Sequence, residues 1–398
     1  MSNSRRDFLK QFGSATAFTA AFAGSSSHFL LGESRPAGDA AHIAQDSMAT
    51  DASSADSGKK IGYCIVGLGR ISMNEFMPGV QKFSKHSKLV AVVSGHRDKA
   101  ERIADQYGIS RKAIYNYTNY EQIAHNPEID AVYIALPNGM HAEYTIRAAK
   151  AGKHVLCEKP MANTVADCEQ MIAACRAANR KLMIAYRLQY EPNTLKGISL
   201  LRQGYAGKIL ELNCNFGFNI KAGEWRLNKA LAGGGPLYDV GIYCINACRY
   251  LSGEEPTSVQ GYSTVVDQDG RFNEVEENVA WNMRFPSGTV ASCLTSYGSN
   301  FSGNLWHVTG TTGTVEMNPA YSYTDLRLTG QTQNGEKTDF SISDPNPQQF
   351  AREGDHLADC IFENKQPKTA GEEGLRDLKI IRAIYQSSDE GRAIRMNT

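Results

Sequence analysis

Residues 61–72 read Ile61-Gly62-Tyr63-Cys64-Ile65-Val66-Gly67-Leu68-Gly69-Arg70-Ile71-Ser72. A short, largely apolar run stops at glycine, which is the pattern of a buried strand. Gly67 permits the tight turn after it, and Gly69 lets a pyrophosphate approach the backbone. The helical pattern that follows, to about residue 83, offers unpaired N–H groups and a partial positive charge. Ser72 stands where a third glycine is usual and is still small enough for close helix–strand packing. Between a strand and a helix, Gly67, Leu68, Gly69, Arg70 and Ile71 read as a dinucleotide-phosphate loop.

Working outward, strands and helices alternate. Strands are predicted over 89–93, 131–136, 154–157 and 182–185, and helices over 99–107, 142–151 and 165–178, with a short one near 120–125. Gly108 and Gly152 close two of the helices. Continuous apolar strands between helices imply a parallel sheet covered on both faces. The fold class is therefore α/β, with an N-terminal Rossmann dinucleotide-binding domain over 59–186. The pattern then changes. A helix is predicted over 193–203 and a long alternating strand over 209–219. A glycine-rich turn opens a helix over 237–251. Successive strands run from 258 to about 342, with alternation over 279–285, 289–296 and 305–309, and helices over 350–363 and 372–389 close the chain. Residues 187–398 thus read as an α+β domain with a large, mostly antiparallel open sheet, one face packed on helices.

The chain has 398 residues, and its 42 basic and 42 acidic side chains cancel. That balance gives no field for nucleic acid or anionic lipid. Nine cysteines lie scattered without metal-finger spacing, so neither a metal site nor a disulfide framework is expected; they read as small buried hydrophobes. Ser4-Arg5-Arg6-Asp7-Phe8-Leu9-Lys10 resembles a bacterial twin-arginine export signal, and the apolar run over 12–23 suits its hydrophobic region but is too short and interrupted to span a membrane. Residues 1–32 are read as that signal, with cleavage as late as about 44, and 33–58 as a loose arm or linker. The expectation is export, already folded, by the twin-arginine machinery to the periplasm. An enzyme sent there would have to regenerate its cofactor without releasing it.

Three further stretches carry chemistry. After the second strand come Ser94-Gly95-His96-Arg97, with no acid before Asp98. A carboxylate there would repel a 2′-phosphate, whereas Ser94, His96 and Arg97 can donate to one, so NADP is expected rather than NAD. Cys157-Glu158-Lys159-Pro160 ends a parallel strand at the edge where ligands bind. A lysine there can stabilise negative charge on oxygen, and Glu158 can hold the lysine or a cofactor hydroxyl. Gly233-Gly234-Gly235-Pro236 precedes Asp239 and Tyr243, which are spaced i, i+4 on one helix face. Tyr243 beside Lys159 would suit a proton relay between alcohol and carbonyl; spacing alone serves a packing role equally well.

Gly67-x-Gly69, Glu158-Lys159-Pro160 and Gly233-Gly234-Gly235…Asp239-x-x-x-Tyr243 occur in the order seen in the Gfo/Idh/MocA oxidoreductases, and the resemblance covers nearly all of 59–398. Ala131-Val132-Tyr133-Ile134, Ala151-Gly152-Lys153-His154-Val155 and Gly371-Glu372-Glu373-Gly374 are similar to the glucose–fructose oxidoreductase group, and so is Tyr243 where most of the family has histidine. The resemblance implies tightly bound NADP and a catalytic set of Lys159, Asp239 and Tyr243. It implies oxidation of glucose to its lactone, with the hydride passed to fructose to give sorbitol. It places Leu136, Pro137, Asn138 and His141 by the nicotinamide half, Arg187 where the domains join, Trp225 and Arg226 near the cofactor, and Tyr297 in the sugar pocket. A homo-oligomer, tetramer or dimer, is implied as well. In that group an N-terminal arm folds over a neighbouring subunit's cofactor; residues 33–58 hold that position without its proline-rich character. The alternatives are an aldose–aldose oxidoreductase, an ordinary aldose 1-dehydrogenase with exchanging NADP, or a non-catalytic sensing protein. An intact Lys159–Asp239–Tyr243 set and an export signal argue against the last.

Overall fold

The computed structural model describes residues 58–300 and 303–396; the export signal and all but the last residue of the arm lie outside the described residues. The first sheet has six parallel strands in the order β3-β2-β1-β4-β5-β6. They are β1 (Ile61–Val66), β2 (Ser87–Val93), β3 (Ile114–Tyr115), β4 (Ala131–Ile134), β5 (His154–Glu158) and β6 (Leu182–Ala185). Every residue of β1 is buried, as its apolar run requires. β1 pairs with β2 on one side and β4 on the other, so the strand order reverses beside it and opens a crevice at the carboxyl ends. The helix Arg97–Tyr107 ends on Gly108 at φ +66°, a left-handed cap that glycine adopts without strain. The two-residue β3 is too short to announce itself by periodicity.

The second sheet has nine strands, ordered β14-β13-β12-β11-β7-β10-β9-β8-β15. They are β7 (Ile209–Gly217), β8 (Ser258–Thr264), β9 (Asn278–Arg284), β10 (Val290–Ser296), β11 (Asn304–Gly310), β12 (Gly313–Met317), β13 (Leu328–Thr332), β14 (Lys337–Asp339) and β15 (Ile394–Arg395). All pairs are antiparallel except β7 with β10, so the sheet is mixed. Along β9, Val279, Trp281 and Met283 face inward while Ala280, Asn282 and Arg284 face out. The period of two read from the sequence is the two faces of this sheet. The outer face shows Leu210, Tyr262, Val290 and Leu294.

The C-terminal helix Gln348–Phe362 lies against the first sheet rather than the second. The Tyr63 hydroxyl on β1 donates to the Gly354 carbonyl at 2.8 Å, and Gly79 approaches so closely that a Cβ would stand 2.8 Å from the Pro347 carbonyl. All nine cysteines are buried and free. Cys214, Cys248 and Cys293, from β7, the helix Ile242–Ser252 and β10, meet with Sγ–Sγ distances of 3.5 and 3.7 Å along Cys214–Cys248–Cys293. Those are van der Waals separations of packed thiols, brought together by the parallel β7–β10 register that pairs Cys214 with Cys293.

On the helix Ile242–Ser252, Arg249 is buried with its guanidinium 2.6 Å from Asp377, 2.6 Å from Glu255 and 3.0 Å from Glu373. Asn246 donates to the other Asp377 oxygen at 2.9 Å. This joins the helix Ile242–Ser252 to the helix Gly371–Glu390. Arg249→Met strands the buried Asp377 without a cation. Urea unfolding should show a loss of about 3–5 kcal/mol; a loss below about 1 kcal/mol would contradict this account of how the helix is held.

Candidate active site

A cleft of about 1360 Å³ lies between the carboxyl ends of the first sheet and the inner end of the second. Gly67, at φ +96°, forms its floor; a Cβ there would stand 2.5 Å from the Ala135 carbonyl. Gly69 has its side open. The Ser72 hydroxyl donates to the Gly67 carbonyl at 2.6 Å, so the departure from glycine at this position ties the turn together. Leu68, Arg70 and Ile71 complete this wall.

At the end of β2, Ser94, Gly95 and His96 line the cleft and no carboxylate stands among them. Arg97 does not line it: its guanidinium pairs with Glu101 one helical turn on, at 2.6 Å. Lys99, two residues along the same helix, takes the place expected of Arg97. Its ammonium donates to the Leu68 carbonyl and faces the cleft. Two positions rotate a helical side chain by roughly 200°, which is why neighbouring cations part company here.

Leu136, Pro137 and Asn138 line the cleft after β4, and Asn138 donates to the Ala232 carbonyl at 2.8 Å. His141 does not line it. The ring is buried, its two nitrogens each 2.9 Å from a backbone carbonyl, of Leu136 and of Pro160. Burial lowers its pKa. It braces the ends of β4 and β5 instead of touching a ligand.

Glu158 and Lys159 lie where the strand pattern placed them. Tyr133 donates to Glu158 Oε1 at 2.6 Å, and burial raises the Glu158 pKa against the pull of Lys159. Lys159 Nζ donates to the Asp239 carbonyl at 2.9 Å, stands 3.6 Å from Asp239 Oδ1, and lies 4.5 Å from the centroid of the Tyr243 ring. Arg187 is buried; it donates from Nε to the Tyr243 hydroxyl at 3.3 Å and from Nη1 to Gln349 at 2.8 Å. Two cations thus surround the phenol. Arg226 Nε stands 3.0 Å from Asp239 Oδ2, and the guanidinium packs over the Trp225 ring.

Tyr297 does not line the cleft either. It is fully buried, and its hydroxyl donates to Asp239 Oδ2 at 2.7 Å. Burial and the Asp239 charge both raise its pKa, so it stays a donor. For Asp239 burial works upward, but Arg226, Lys159 and Tyr297 outweigh it and hold the carboxyl below its usual range. The site therefore presents an ionised aspartate, a lysine and a tyrosine on one wall. Lys99, Glu75, Phe216, Glu224, Tyr321 and Tyr323 also line the cleft and were not foreseen. Glu224 forms a 2.7 Å ion pair with Arg70, another lining residue. Only for Phe216 was a signal present, as an alternating position near the end of β7.

Residues 61–186 match the model of the oxidoreductase family with an NAD-binding Rossmann fold, and 196–316 match the GFO/IDH/MocA C-terminal domain. The chain belongs to the Gfo/Idh/MocA oxidoreductases. Among members of this family, the D-xylose 1-dehydrogenase [NADP(+)] of Haloarcula marismortui is 31% identical over 343 residues, 85% of this chain and 93% of that protein. A second D-xylose 1-dehydrogenase, from Haloferax volcanii, is 30% identical over 84% of this chain and 99% of its own length. The crystal structure of an aldose–aldose oxidoreductase from Caulobacter crescentus, complexed with glycerol, shares 43% identity and superposes with a TM-score of 0.81, over 85% of this chain and all of that one. Levoglucosan dehydrogenase, at 21% identity and a TM-score of 0.74, shares the fold.

The charge of Asp239 makes stability depend on pH at the acid end. Its lowered pKa contributes stability above the free value of about 3.9, and that contribution is lost as pH falls through the lowered value. Arg226→Met removes the strongest opposing charge. The Asp239 pKa then rises, and the acid limb of the pH–rate profile should move to higher pH. An unmoved acid limb would contradict the assignment of Arg226 as its counter-ion.

Proposed function

We propose that this Gfo/Idh/MocA protein is an NADP-dependent sugar oxidoreductase. In this reading it oxidises an aldose such as glucose at C1 to the lactone and passes the hydride to a second sugar without releasing its cofactor. The observation that carries the reading is the convergence of Lys159, Asp239 and Tyr243 on one wall of a cleft built on a dinucleotide loop. The cleft fits that cofactor. The floor at Gly67 has no room for a side chain, Ser94, His96 and Lys99 offer donors to a 2′-phosphate, and no carboxylate opposes them at the end of β2. When bound, NADP supplies the hydride acceptor and, once reduced, the hydride donor. The chain's own residues supply the rest. Tyr243 takes the proton of the C1 hydroxyl and returns one to the second sugar's oxygen. Lys159 polarises the reacting oxygen, held by the Asp239 carbonyl so that its ammonium faces Tyr243. Asp239 orients the sugar through its ionised carboxylate. The acceptor is a second aldose, supported by the 43% identical aldose–aldose oxidoreductase, or fructose, supported by the sequence motifs shared with the glucose–fructose oxidoreductase group. The export motif at Arg5-Arg6 supports a periplasmic enzyme, for which a cofactor kept between turnovers is an advantage, and the open face of the second sheet supports an oligomer.

Lys159→Met and Tyr243→Phe should each lower turnover by at least about a hundredfold, while bound cofactor, read from its absorbance, is retained. Near-normal turnover in both variants would overturn the reading.

A further inference from the structure

The glycines ahead of Asp239 are pressed from several sides. Gly233 has φ +84°, and a Cβ there would stand 2.7 Å from Asn163 Oδ1 and from the Tyr238 ring. At Gly234 a Cβ would meet the Tyr385 hydroxyl, and at Gly235 the backbone and side chain of Glu276. The turn leads into Leu237–Gly241, a π-helical turn, and then the helix Ile242–Ser252; these segments carry Asp239 and Tyr243.

Glu276, just before β9, reaches this turn. Its Oε2 accepts from the Gly235 N–H at 3.0 Å, and its Oε1 accepts from the Leu237 N–H at 3.3 Å and from the Tyr385 hydroxyl at 2.7 Å. Burial raises its pKa, and Tyr385 with the backbone donors draws it back. Three donors converge on two oxygens, which suits a carboxylate and not an amide, since an amide offers one oxygen and sets its own N–H₂ against a donor. From Tyr385 the contacts continue. Its ring stacks on Tyr238 at 6.1 Å, and the Tyr238 hydroxyl donates to the Asn163 carbonyl at 2.8 Å, in the loop that begins at Lys159. Glu276 does not itself line the cleft.

We propose that Glu276 is a positioning residue: by binding the Gly235 and Leu237 N–H groups and the Tyr385 hydroxyl, it sets the start of the helix and so the approach of Asp239 and Tyr243 to Lys159. The inference rests on the proposed roles of Lys159 and Tyr243. A displacement of about 1 Å at such a site costs up to a hundredfold in rate. Glu276→Gln is expected to lower kcat about tenfold, with KM and cofactor retention within about twofold of the wild type. Glu276→Asp, which keeps the carboxylate, should restore part of the loss. Tyr385→Phe, which leaves both backbone donors paired, should lose less than Glu276→Gln. Unchanged kcat in Glu276→Gln, or a loss explained by released cofactor or a reduced folded fraction, would overturn the proposal. A wild type that does not turn over aldose would instead sink the proposed function. The positioning claim then stands on a crystal structure of Glu276→Gln. There the Lys159 Nζ–Asp239 carbonyl contact, 2.9 Å in the wild type, should open beyond hydrogen-bond distance. An unchanged contact overturns it.

Discussion

Lys159 leaves the end of β5 and donates to the backbone carbonyl of Asp239, which belongs to the helical turn of the other sheet's layer. That bond ties the first sheet to the helical layer of the second at one wall of the cleft. It is supported on both sides. On the strand side, His141 braces the Pro160 carbonyl, and Asn163 and Asn138 donate to the Ala230 and Ala232 carbonyls. On the helix side, Glu276 holds the Gly235 and Leu237 N–H groups. A lysine at the end of a parallel strand is thereby made to face a tyrosine from a helix more than eighty residues later in the chain.

Electrostatics then divides the labour among neighbouring charges. Burial works against the Asp239 charge, and Arg226, Lys159 and the Tyr297 hydroxyl together hold its carboxyl below the usual range. Glu158 is served by Tyr133 and lies behind the lysine. Deeper still, Glu353 is fully buried, and burial raises its pKa. What remains facing the Tyr243 phenol is positive, from Lys159 and Arg187. A buried, preorganised field of this kind acts most strongly on charge that develops during reaction.

The parts of this arrangement legible in the sequence are those that repeat a local rule. The all-buried β1, the left-handed Gly108 and the alternation along β9 follow from periodicity and glycine chemistry within a few residues. Lys159 was placed by its strand end, whereas the spacing of Asp239 and Tyr243 served packing equally well, and grouping them with Lys159 came from the family resemblance. Arg97, His141 and Tyr297 were placed at the cleft and are not there, each for a different reason. Arg97 sits on the wrong side of its helix, His141 is consumed by two carbonyls, and Tyr297 serves Asp239 from below. Lys99, Glu224 and Glu276 were missed because what makes them matter is a partner far along the chain: Leu68, Arg70 and Gly235. The parallel pairing of β7 with β10, and the cysteine contact it creates, depend on tertiary register and leave no mark in spacing.

The measurement that tests the central claim most directly is an absorbance spectrum of the extensively dialysed full chain, taken before and after glucose and then after a second sugar. The account predicts a bound nicotinamide whose reduced band appears with glucose and fades with a second aldose or fructose, with no cofactor added. A dialysed protein that carries no nucleotide and turns over only when NADP is supplied would contradict it.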